Sequence, residues 1–457
     1  MWRCFRPCAA DAKRLYYERM LIDKHEGGGH EVASVIYGVN FVIGVIFFVM
    51  YFYQMIYLAV GLLDKLRGRR WRAAKTQHKL AVLISARNER AVIGELIRSI
   101  HQQDYPQDKL HVFVVADNCT DDTAEICRNL GCTVFERFNK QYIGKGYALN
   151  FAFEKIFADP ANDYEAFIIL DADNLLTKNY VAEMNKVFDE GYRACTSYRN
   201  SKNYAQNWIS SGYGLWFIRE AEYLNRPRYV LHNSCAISGT GFLVATELIK
   251  ERGGWNYHLL TEDIEFTAAT VITGEKIGYA GEAMLYDEQP ITFKQSWNQR
   301  MRWAKGFYQV LGKHGFDLAK RIVSFRTGSF SSFDMLMNIM PALLIMLTML
   351  VFNIGILLYV LLFADAAMKS ELLGICGMAV AYSLGYYYCM LFFLGTVTTI
   401  TEWKKILASP WMKIRTMFTF PLFMFTYVPI AVVALFKKVE WTPIEHTVVK
   451  SIEDMKR

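Results

Sequence analysis

The sequence predicts an α/β domain with a mostly parallel sheet, joined to a helical region that spans a membrane. Three observations carry this. Charged residues vanish from four long stretches of a 457-residue chain whose overall charged share, 21%, is ordinary. The polar middle alternates short β-branched runs with helical patterns, and acids collect where those runs end.

The apolar stretches come first. Residues 34–62 carry no Asp, Glu, Lys or Arg, and further runs lie near 335–363, 372–400 and 417–436. A helix of about 20 apolar residues crosses a hydrocarbon core of ~30 Å, so all four are long enough. The expected organisation is a polar N-terminal segment over 1–33, a transmembrane helix over 34–62, and an α/β domain over 70–330 with interfacial helices at its end. Three apolar transmembrane segments over 333–437 and a tail over 438–457 follow. The first thirty residues are basic and lack the pattern of a signal peptide. The nine cysteines are scattered, with neither zinc spacing nor a disulfide framework, which fits a reducing cytoplasmic face.

Lys404, Lys405, Lys413 and Arg415 stand between the third and fourth runs and place that loop inside. The α/β domain is then cytoplasmic as well. Four crossings would put both termini outside, against the basic N-terminal segment and Lys437-Lys438; one run lying on the membrane instead of crossing it would bring one terminus inside.

Within the middle, "KLAVLISA" (79–86), "HVFVVAD" (111–117), "CTVFER" (132–137) and "AFIILDAD" (166–173) read as strands. "VIGELIRSIHQQ" and "GYALNFAFEKIF" between them read as helices, giving βαβ units. Ligands of such sheets bind at the carboxyl ends of the strands. Those ends carry Asn88-Glu89, Asp117-Asn118 and Asp171-Ala172-Asp173.

Four features could carry chemistry. Asp171 and Asp173, two apart at a strand end, suit Mg²⁺ or Mn²⁺, although acids are also common in such turns. Gly144-Lys145-Gly146 before a helix suits a phosphate, or is a simple turn. Asp263 in "LLTEDIEFT" is a general base or a helix-start acid. "QSWNQRMRWAKG" (295–306) packs three cations and two indoles into twelve residues. It reads as phosphate and sugar recognition or as interfacial anchors.

In order, "ADNCTDDT", "DAD", "TED" and "QRMRW" resemble the signature of processive family 2 glycosyltransferases, the membrane synthases of cellulose, hyaluronan and chitin. The resemblance spans about residues 79–310 and implies a GT-A-type fold. It implies that Glu89 and Asp117 contact the uridine, that Lys145 lies near the nucleotide, and that Asp171 and Asp173 hold the metal and diphosphate. Ser238, Gly239, Thr240 and Gly241 would form the loop under the acceptor sugar, with Glu262 and Trp303 also on the acceptor side. Asp263 would be the catalytic base, and Gln299 and Arg302 would close over the donor.

Two departures stand out. Arg87 takes the place of an aromatic that many members use against the base, and Asp117 is a single acid where a pair is common. No second-messenger domain is expected after Phe436, and no gating loop is apparent.

The implied activity is processive, inverting polymerisation of a UDP-sugar, best UDP-glucose, into a β-linked polysaccharide moved across the plasma membrane. The expected partners are donor, growing polysaccharide, bilayer and an accessory subunit, with no nucleic acid. The alternatives are a poly-N-acetylglucosamine-type synthase, a non-processive transferase to polyprenyl phosphate, and an inactive membrane subunit.

Overall fold

The structure, a computed structural model, describes residues 33–68, 72–339, 342–363, 366–440 and 446–456. Nearly all of the expected N-terminal polar segment and part of the tail lie outside the described residues. The chain forms two compact units, Tyr53–Met340 with Met390–Arg457, and Met1–Phe52 with Pro341–Cys389.

The larger unit is built on eight strands. They are β1 Leu80–Ala86, β2 Leu110–Asp117, β3 Thr133–Arg137, β4 Ala166–Asp171, β5 Leu175–Leu176, β6 Ala194–Ser201, β7 Phe242–Ala245 and β8 Ile277–Asp287. Their order in the sheet is β3-β2-β1-β4-β7-β6-β8-β5. The four strands expected from the sequence form the parallel run β3-β2-β1-β4. Six of the seven residues of β1 are buried, so this strand reads as an unbroken apolar run, as strands covered on both faces do.

The register sets the site. Ala86 stands beside Ala116, and Ser85 beside Asp171, while Asp117 faces Arg137. Because β2 and β4 flank β1 on opposite sides, the loops leaving β1 and β4 diverge and open a crevice, the usual ligand position of open α/β sheets. β7 then runs antiparallel to both β4 and β6, and β8 returns parallel to β6.

Asn88 and Asn118, just past β1 and β2, both take positive φ, 57° and 55°. Asparagine tolerates this conformation better than other non-glycine residues. Each side chain then holds the neighbouring loop: Asn88 Oδ1 accepts from the Thr120 amide at 2.8 Å, and Asn118 Oδ1 from the Asn139 amide at 2.9 Å. Gly146 opens the helix Lys145–Phe157, and a Cβ there would lie 1.9 Å from the Tyr257 carbonyl oxygen. Only glycine permits that approach.

Among the described residues three helices are long and apolar enough to cross a membrane: Ala33–Arg67, Leu372–Thr401 and Pro410–Phe436. The apolar run near 335–363 is divided. Its start belongs to the helix Ser329–Ile339, where buried Met335, Met337 and Ile339 join the core of the larger unit. The boundary expected at 330–333 therefore falls inside a helix. Asp334 explains why: it is buried, takes two hydrogen bonds from Arg228 at 2.7 and 2.8 Å, and accepts from Tyr53 and Tyr57. An ion pair with these partners ties that turn to the larger unit. The rest of the run forms the helix Ala342–Phe363 in the smaller unit. There Asn40 and Asn353 exchange amide hydrogen bonds at 2.8 and 3.1 Å, and Ala33, Ile36, Val360 and Leu372 pack together.

Candidate active site

The strand ends bring most of the expected residues into one crevice. Lys145, the first residue of its helix, donates to Asp171 Oδ1 at 2.5 Å and to the Gly239 carbonyl at 2.8 Å. Gly239 in turn donates its N–H to Asp263 Oδ2 at 2.5 Å. Asp171, Lys145, Gly239 and Asp263, spread over 119 positions of sequence, thus form one continuous chain of contacts. Burial works against the Lys145 ammonium, but the Asp171 and Glu262 carboxylates lift its pKa above the ordinary lysine value.

Glu262 and Asp263 open the helix Glu262–Ile272, and both are shifted upward. Burial is the main cause in each case. For Glu262 the Asp263 charge adds to it and the pKa reaches about 8. For Asp263 the Gly239 N–H pulls the other way. A carboxyl group poised near neutrality suits proton transfer. Arg302 faces the same acids. Burial lowers its pKa, while Glu262, Asp171 and Asp263 oppose that shift.

Asp173 lies two residues past the end of β4. Its Oδ2 accepts from the Glu288 amide at 2.8 Å, and its pKa is lowered; burial opposes the charge, but His446 and Lys202 outweigh it. Asp171 and Asp173 together offer hard oxygen donors that fit Mg²⁺ or Mn²⁺. Among the described residues no three His, Cys, Asp or Glu side chains form a ready metal cage. Such a pair fits a Mg²⁺-type ion, which habitually takes its remaining ligands from water and substrate phosphates.

On the nucleotide side, Asp117 is buried and its Oδ1 is held by Arg137 at 2.5 Å and by Asn118 at 3.0 Å. Glu89 meets an unexpected partner, since both its oxygens lie 3.0 Å from His446 Nδ1, 357 residues away. Burial opposes the charge on His446, yet Asp173, Glu89 and Glu288 raise its pKa to about 10. It is a cation at neutral pH.

The residues expected beneath an acceptor differ in their contacts. Ser238 donates to Glu220 at 3.3 Å and Gly239 touches Asp263, so both border the crevice. Thr240 and Gly241 are tied into the loop itself. The Thr240 hydroxyl is buried between the Asp171 amide and Asn174, and Gly241 is packed under Leu285, Ser197 and Tyr180. They shape the loop from below.

The long helix Phe293–Val323 carries the basic stretch and splits its cations by task. Arg300 is buried and donates to the Phe423 carbonyl at 3.1 Å and Thr426 Oγ1 at 2.7 Å. Lys305 reaches the Ala434 carbonyl at 3.1 Å. These two hold the apolar helix Pro410–Phe436 against the domain, and only Arg302 faces the acids. Trp303 is half-buried, edge-on to Tyr213 and Trp216 with ring centroids 5.7 and 6.0 Å away. Gln299 Oε1 is buried without a hydrogen-bond partner.

A model of the family described as "Glycosyltransferase like family 2" matches residues 78–306, half of the chain. The chain belongs to this family. The glycosyltransferase is 27% identical over 265 residues to the probable glycosyltransferase YdaM of Bacillus subtilis, covering 53% of this chain and 59% of the relative. It is 29% identical over 237 residues to a beta-monoglucosyldiacylglycerol synthase of Synechocystis (50% and 48%), and 24% identical over 249 residues to a poly-beta-1,6-N-acetyl-D-glucosamine synthase of Staphylococcus epidermidis (52% and 57%). The matches thus span about half the length of these relatives. Among solved structures, the mannosyltransferase PcManGT from Pyrobaculum calidifontis, in complex with GDP-Man and Mn²⁺, superposes with a TM-score of 0.50. At 16% identity, covering 88% of this chain and 99% of that one, it shows the shared fold.

Sequence reasoning missed His446, Lys202 and Glu288. Nothing in local spacing marks them, because each acts through a contact made only by the folded chain.

Proposed function

We propose that this glycosyltransferase polymerises a UDP-sugar, best UDP-glucose, into a β-linked polysaccharide by inverting, processive transfer. The observation that carries the reading is the contact chain from Asp171 through Lys145 and Gly239 to Asp263, with Arg302 facing the same acids. It joins a diphosphate-type site to a base in one crevice. Asp263 takes the proton of the acceptor hydroxyl as its oxygen bonds to the anomeric carbon, and the bond from that carbon to the diphosphate breaks. Lys145 and Arg302 offset the charge that grows on the leaving diphosphate. A divalent cation held by Asp171 and Asp173, when bound, supplies further charge neutralisation there.

On this reading Glu89, Asp117 and Gln299 serve the donor, and Ser238, Gly239, Glu262 and Trp303 the acceptor. The half-buried rings of Trp303 and Trp216, packed on buried Tyr213 and Phe217, support a sugar chain leaving beside the apolar helices. The enzyme is then a multi-pass protein of the plasma membrane with its catalytic domain in the cytoplasm, and an accessory subunit is compatible with it. A second reading is favoured by the likeness to a monoglucosyldiacylglycerol synthase: single transfer to a lipid acceptor.

The test supplies purified, detergent-solubilised protein with Mg²⁺ or Mn²⁺ and labelled UDP-glucose or UDP-N-acetylglucosamine. Label in an insoluble polymer cut by a linkage-specific glycanase supports the synthase. Label confined to a chloroform-extractable lipid would replace it with the second reading, and the productive donor names the sugar.

A further inference from the structure

The C-terminal tail is built into the donor side of the crevice. Its backbone N–H groups at Thr447 and Val448 both donate to the Glu288 carboxylate, at 3.1 and 2.9 Å. Lys450 Nζ donates to the Lys202 carbonyl at 2.7 Å. Ser451 and Asp454 close a turn on each other, and the turn drives Ile452 and Met455 into a cluster with Leu175 and Tyr286. Ile452 and Met455 are 5% and 4% exposed, so this is a packed attachment and not a strand lying on the surface.

The attachment has a consequence for chemistry. It delivers His446 to Glu89 and into the field of Asp173, which puts one cation between the acid expected at the nucleoside and an acid expected at the diphosphate. His446 and Thr447 also line a cavity of about 110 Å³ together with Glu288, Gln289, Gln295 and Gln299. The unpartnered Gln299 oxygen is a buried acceptor on the helix that bears Arg302. A group with hydroxyls or N–H donors and negative charge on the same molecule matches that lining, and a nucleoside diphosphate is such a molecule.

We propose that His446 and Thr447, at the start of the tail, form a wall of the donor site and that His446 is a positioning residue, holding the Glu89 carboxylate in place for the nucleoside diphosphate. The proposal rests on the donor-site reading above. It requires no change of the tail between free and bound enzyme, because Ile452 and Met455 are packed against Leu175 and Tyr286, which are not among the residues lining that cavity.

The experiment uses full-length protein in detergent and two readouts, UDP affinity by calorimetry and steady-state kinetics with the productive UDP-sugar. His446→Ala is expected to weaken UDP binding and raise the donor KM about tenfold, the effect of losing roughly one charge-assisted hydrogen bond, with kcat within about threefold. His446→Arg, which keeps a cation in reach of Glu89, should recover most of the affinity. Val449→Ser, on an exposed position of the same tail, should match the wild type. UDP affinity unchanged in His446→Ala, or a tighter complex there, overturns the proposal; the second outcome would make the tail an inhibitory strap. An equal loss in Val449→Ser would also overturn it, since tail packing and not the imidazole would then be responsible. Wild-type protein that binds no UDP would sink the donor-site reading itself, which separates the two failures.

Discussion

Two pairs of buried side chains flank the crevice, and they solve the same problem in opposite ways. At the end of β2 Asp117 meets Arg137, so a buried charge faces its opposite. At the start of the helix Glu262–Ile272 Glu262 meets Asp263, so two acids share one desolvated helix start with the cations Lys145 and Arg302, also serving Asp171. The first arrangement makes a rigid post. The second keeps a proton loosely held, as the proposed base requires.

The comparison can be broken from either side. The largest effect belongs to Asp263→Asn, which keeps an oxygen for the Gly239 N–H but removes the base. Its kcat should fall by about 10²–10⁴, the range for losing a general base, with thermal stability close to wild type. A variant that retains wild-type kcat would move the base elsewhere. Next comes Arg137→Met, which strands the Asp117 charge in the interior. It should cost about 3–5 kcal/mol in chemical or thermal unfolding, and the double variant with Asp117→Leu should regain much of that. No loss in the single variant would mean that water reaches Asp117 and the post is not a post.

The smallest effect sharpens the acid pair. Asp263 works only as a carboxylate, so the rate should fall as the pH falls through the apparent pKa of the coupled pair. The Asp263 charge helps raise Glu262 to about 8, so Glu262 is still protonated while Asp263 ionises, and Glu262→Gln exchanges one neutral group for another there. The acid limb of the kcat profile should therefore stay close to the wild type. A limb that moves down by about one pH unit would show that Glu262 ionises first and that its charge holds Asp263 up.

How much of this was legible in the sequence varies by element. β1 to β4 were visible because each is a short β-branched run, and the acids at their ends were visible because sheet direction fixes where a strand's carboxyl end lies. β5, with two residues, and β6, with "ACTSYRNS", carry no such pattern, since their burial comes from pairing partners and not from composition. The apolar run near 335–363 was visible from composition, but hydropathy does not weigh the acid just before it against a distant arginine. Asp334 and Arg228 form that buried pair, and they are 106 residues apart.

The signature residues show the same division. Asp171, Lys145, Asp263 and Arg302 were chosen from motifs, and they share the crevice. Thr240 and Gly241 came from the same motif reading, and the structure adds contacts that a motif does not record: the Thr240 hydroxyl sits between the Asp171 amide and Asn174, and Gly241 packs under Leu285. Arg300 and Lys305 lie in the same twelve residues as Arg302, yet helical rotation turns them to the carbonyls of a neighbouring helix. By itself the sequence determined the parallel half of the sheet, the apolar segments and the family. Only the tertiary structure decided which charges are spent on packing and which remain for chemistry. It alone brought His446 to Glu89 as well, since local pattern governs elements, while the partner of a buried charge is set by whatever the folded chain places within about 3 Å of it.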